Sequence, residues 1–64
     1  MKRRSAKYWA QQAYDARIRR GVTIYTLTRV DDDNFTIRKQ GYIISFRIGT
    51  TLNAIVTDVR KESV

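Results

Sequence analysis

Gly41-Tyr42-Ile43-Ile44-Ser45-Phe46-Arg47-Ile48-Gly49 is the stretch on which the fold turns: two glycines bracket seven residues with an apolar side chain at every second position. Successive side chains of an extended strand point to opposite faces, so Tyr42, Ile44, Phe46 and Ile48 share one face and Ile43, Ser45 and Arg47 the other. A wholly apolar face backed by a mixed one describes a strand covered on one side and near solvent on the other.

The neighbouring segments read as its partners. Phe35-Thr36-Ile37-Arg38-Lys39 alternates in the same way, with Phe35 and Ile37 inward and Thr36 and Arg38 outward. Gln40-Gly41 supplies a tight turn with glycine at the strained position. Upstream, residues 22–30 are dense in β-branched and aromatic side chains, with Val22, Ile24 and Val30 on one face and Tyr25 and Leu27 on the other. Asp31-Asp32-Asp33-Asn34 ends that run, because short polar side chains bond their own backbone and asparagine tolerates positive φ. The expectation is an antiparallel meander of strands 22–30, 35–39 and 42–48.

Helical signals flank the meander. Ser5 suits an N-cap, alanines recur at positions 6, 10, 13 and 16, Arg17, Arg19 and Arg20 occupy a last turn where cations complement the helix dipole, and Gly21 suits the left-handed residue beyond. A helix over 5–20 follows, with Trp9 and Tyr14 as the bulky members of an alanine stripe. In the tail, 50–61, Leu52, Ile55, Val56 and Val59 stand at i, i+3, i+4 and i+7. That spacing favours a C-terminal helix over a fourth strand, although threonine, isoleucine and valine are poor helix formers. The predicted fold class is therefore α+β: N-terminal helix, three-stranded antiparallel meander, C-terminal helix, in one domain covering 1–64.

Composition narrows the function. Apolar residues at 42% and aromatics at 11% describe a chain that folds, while 64 residues allow one small core and no deep cleft. Self-association is a natural source of extra stability at this size. Without cysteine or histidine there are no disulfides, no thiolate chemistry and none of the usual zinc ligands. The acids sit in the 31–33 turn, in the tail, or alone at Asp15, so no pair suited to general acid-base catalysis is evident, and the expectation is a non-enzyme without cofactor. The aspartate run lacks the alternate spacing, central glycine and distal glutamate of a calcium loop, and reads as a solvated turn. No run approaches the roughly 18 apolar residues of a membrane span, and no apolar stretch follows the basic start, so a cytoplasmic protein is expected.

Charge carries the functional signal. Of a formal net +7, residues 1–20 contribute +6, from Lys2, Arg3, Arg4, Lys7, Arg17, Arg19 and Arg20 against Asp15, and the other forty-four residues are nearly balanced. Such a field concentrates polyanions. On a continuous helix the two basic clusters stand about 15–20 Å apart, a span able to straddle phosphates. Tyr8, Trp9 and Tyr14 lie between them, where aromatics either stack on bases or anchor a protein interface. Arg38 and Arg47 point away from the apolar sheet face and add a second candidate surface. In element order, a three-stranded meander followed by a helix resembles the arm-binding domains of phage integrases, and that resemblance implies a sheet laid in a DNA groove. Lys7-Tyr8-Trp9 is similar to the start of some phage minor head proteins. The partners expected are nucleic acid, DNA or RNA, or an acidic protein surface. The rival to nucleic-acid binding is a non-enzymatic adaptor, inhibitor or small structural subunit.

Overall fold

The structure, a computed structural model, describes residues 5–62. One helix, α1 (Ala6–Arg20), is followed by four strands, β1 (Thr28–Arg29), β2 (Asn34–Lys39), β3 (Tyr42–Ile48) and β4 (Ala54–Lys61), which form one antiparallel sheet in the order β1-β2-β3-β4.

Both ends of α1 are set locally. The Tyr8 N–H donates to Ser5 Oγ at 3.3 Å, and Ser5 has the extended backbone of an N-cap. Gly21 takes φ +66, and the Gly21 and Val22 N–H groups donate to the Arg17 and Ala16 carbonyls, both at 3.1 Å. Between these ends α1 packs Ala10 and Ala13 into one buried cluster with Ile37, Ile44, Phe46, Ile48 and Ala54, and Ala16 is buried as well. The alanines let the helix lie close to the sheet. Larger rings fill its flanks: Tyr14 meets Phe35 edge-on at 5.6 Å, Phe35 stacks on its cross-strand partner Phe46 at 5.7 Å, and Trp9 meets Tyr25 edge-on at 5.6 Å.

The strand expected over 22–30 is reduced to Thr28–Arg29. Tyr25 and Thr26 take φ of 54 and 50, and two successive left-handed residues turn the chain before any ladder forms. Strict alternation would have sent Ile24 and Tyr25 to opposite faces. The turn instead packs Ile24, Tyr25 and Leu27 against one core, and the Tyr25 carbonyl accepts the Arg38 N–H at 2.8 Å. The strands expected over 35–39 and 42–48 form almost as read. Gln40 and Gly41, at φ 52 and 81, make the tight turn between them.

The C-terminal helix is not formed; those residues make the fourth strand, β4, on the free side of β3. With it goes the resemblance in element order to a meander closed by a helix. Thr57 accounts for the misleading spacing. Ser45 opposes Asp58 while Phe46 opposes Val56, so Thr57 is an extra residue bulged out of the ladder. The bulge shifts the alternation by one, and Val56 and Val59, three apart, therefore share the helix-covered face with Ala54. Ile55 points to the open face and Leu52 sits in the preceding turn at φ 65.

Gln11 ties α1 to this strand. Its Oε1 accepts the N–H of fully buried Ala54 at 2.7 Å, and its Nε2 donates to the Leu52 carbonyl at 3.2 Å. Gln11→Leu leaves that N–H unpaired, and a loss of about 1–3 kcal/mol in chemical denaturation is expected; unchanged stability would show that water replaces the amide.

Candidate nucleic-acid interface

Because α1 covers one face of the sheet and the other is open, the basic residues divide into two groups on opposite sides. On α1, Lys7, Arg17, Arg19 and Arg20 are all exposed. None of the four forms an ion pair among the described residues. Lys2, Arg3 and Arg4 lie outside the described residues. Asp15, the acid of the helix, accepts a hydrogen bond from Gln11 Nε2 at 3.2 Å. Tyr8, Gln11, Gln12, Asp15, Arg19 and Arg20, with Ala16, line a shallow groove along α1.

The open sheet face carries three cross-strand rows. Arg38, Ile43 and Arg60 form one, Thr36, Ser45 and Asp58 the next, and Asn34, Arg47 and Ile55 the third. Arg38 is paired with Glu62, and Arg60 with Asp58 at 3.1 Å. Arg47 is exposed and makes no ion pair among the described residues. At the 31–33 turn Arg29 pairs with Asp32 at 3.1 Å, while the Asp31 carboxylate accepts from the Asn34 amide at 3.3 Å. Among the described residues no group of three or more aspartates, glutamates, cysteines or histidines is placed to hold a metal ion. No helix there is long and apolar enough to cross a membrane.

These pairings give the site its character. Three of the acids outside α1, Asp32, Asp58 and Glu62, are matched to arginines of the sheet and its loops, so the scaffold compensates its own charge locally. The arginines that end α1 have no such partners among the described residues; Arg19 and Arg20 share one groove, and Arg17 lines another.

The aromatics expected to touch a partner are divided differently. Trp9 and Tyr14 are half-buried and packed on the core, so neither is an open stacking platform. Tyr8, edge-on to Trp9 at 5.0 Å, lies outside them, and its hydroxyl accepts from Gln12 Nε2 at 3.0 Å. Lys39, to which the sequence assigned no role beyond the end of a strand, stands with Nζ 4.1 Å from the centre of the Trp9 ring and 4.8 Å from that of Tyr25. The signal for it was present: Phe35, Ile37 and Lys39 alternate onto the helix side. Gln11 offered no comparable signal, since its two backbone partners lie forty-one and forty-three residues away.

Comparison of the sequence with protein-family models and with curated proteins, and of the fold with solved structures, finds no match.

A cation over an aromatic face contributes about 0.5–1 kcal/mol where partly exposed. Lys39→Gln is expected to lose that much stability and to shift the emission of Trp9, the one tryptophan of the chain; an unchanged spectrum and midpoint would place the lysine off the ring.

Proposed function

We propose that the protein binds nucleic acid, chiefly through phosphate contacts from α1. The observation that carries this reading is the set of exposed cations on α1, Lys7 near its start and Arg17, Arg19 and Arg20 in its last turn, none in an ion pair among the described residues, set against a scaffold in which Arg29, Arg38 and Arg60 are paired with neighbouring acids. A guanidinium matches phosphate bidentately, and an exposed group without an internal partner gives up little on reaching for one. The helix dipole does not assist, because the last turn is its negative end. Affinity at this site therefore comes from side-chain charge, which predicts steep salt dependence and weak sequence preference. Arg47, on the far side of the sheet, supplies a secondary contact for a strand that passes the edge.

A second reading, docking on an acidic protein surface, draws on the groove beside the same arginines. Tyr14, Ile18, Leu27 and Phe35 line it, Ile18 is 57% exposed, and Arg17 and Arg29 stand at its rim.

Fluorescence anisotropy with labelled duplex DNA and with RNA, run across a salt series, separates the two. On duplex DNA each phosphate neutralised contributes about −0.9 to the slope of log affinity against log salt. Replacing Arg17, Arg19 and Arg20 together by glutamine is expected to flatten that slope by roughly 2–3, and Arg47→Gln by less than about 1. Absence of binding to either polymer at low salt overturns the nucleic-acid reading and leaves the acidic protein surface.

A further inference from the structure

The sheet ends in two unlike edges. β1 has two residues, whereas β4 presents eight, from Ala54 to Lys61, with nothing paired to its outer side among the described residues. The Glu62 N–H donates to the Gly41 carbonyl at 2.7 Å, which fixes the hydrogen-bonding phase of the β3–β4 ladder. Backbone polar groups alternate in direction along a strand, so those of Arg60 and Asp58 face β3 and those of Val59 and Lys61 face outward. Val59 is 47% exposed and projects on the α1 side, beside Tyr42, which is 45% exposed.

We propose that this edge pairs antiparallel with the same edge of a second copy, about a two-fold axis through Val59, to make a continuous eight-stranded sheet. A two-fold normal to the sheet requires each residue to face one of like orientation, which leaves four registers in the regular stretch beyond the bulge. Centring on Asp58 sets two aspartates against each other, centring on Arg60 two arginines, and centring on Lys61 two lysines. Centring on Val59 places Asp58 opposite the partner's Arg60 and Arg60 opposite the partner's Asp58. It also joins the outward N–H and C=O of one Val59 to those of the other and brings the two valine side chains together. Opposite charges directly across a ladder stabilise it and like charges oppose it, so the sequence of β4 selects one register of four. The bulge at Thr57 limits the pairing to residues 57–61, short of the area of an obligate interface, and the dimer is accordingly reversible.

Sedimentation equilibrium of the full chain at physiological ionic strength, over a concentration series, tests the proposal. Asp58→Arg or Arg60→Asp alone sets like charges opposite one another twice per dimer, and each is expected to weaken association roughly tenfold. The combined Asp58→Arg/Arg60→Asp variant restores opposite pairing and is expected to return association close to that of the parent. Because both residues are exposed, circular dichroism is expected to show all three variants folded. In parallel, the amide resonances of Val59 and Lys61 should shift with concentration while those of Asp58 and Arg60 move less. A chain that stays monomeric at millimolar concentration, or association indifferent to the charge reversals, overturns the proposal.

Discussion

The seating of alanine methyl groups on one face of a meander is the contact on which this structure depends. Ala10 and Ala13 are wholly buried in one cluster with Ile37, Ile44 and Phe46. Few residues are fully buried, as expected at this length, where surface is large relative to volume. The remainder of the apolar surface is covered by an apron of half-buried rings, Trp9, Tyr14, Tyr25 and Phe35, which take area from water without being enclosed. Methyl groups bring the axis of α1 close, and the rings close the gap at its sides.

How much of this was legible depended on the range of the determining interactions. The helix was readable at both ends because Ser5 and Gly21 act on backbone groups within a few residues of themselves. The strands around Gln40-Gly41 were readable because their apolar period is unbroken. The segment 22–30 was misread because tertiary packing of Ile24, Tyr25 and Leu27 on one core outweighed local β-propensity and sustained two left-handed residues. The tail was misread because one inserted residue gives a strand the apolar spacing of a helix. Charge totals were visible from composition, and Arg60 with Asp58 is a pair two residues apart on one strand, whereas the pairing of Arg38 with Glu62 required the sheet to be assembled.

The division of charge follows from the same architecture. A helix seated by alanines turns its long polar side chains outward, and its last turn ends in arginines that form no ion pair among the described residues. On the open side Asp58 pairs with Arg60 two residues along the same strand, and Glu62, just past the end of β4, pairs with Arg38, which leaves that side of the sheet nearly neutral. A sheet extended through β4 about a perpendicular two-fold would carry both helices on one side. Their cationic ends would then address a common surface, and binding of a polyanion there and association of two copies would reinforce each other as linked equilibria.

Thr57 holds the reading frame of the final strand. Side-chain direction along a strand has a period of two, so the phase of everything after the bulge depends on this one residue standing outside the ladder. Were it laid into the ladder, Val59 would swing to the open side, Asp58 and Arg60 would be driven beneath the helix, and the apolar and charged faces of the last four residues would exchange places. A hydroxylated side chain at the surface, its Oγ1 donating to the Ser45 carbonyl at 3.3 Å, thus belongs to the residue whose exclusion keeps the strand in phase.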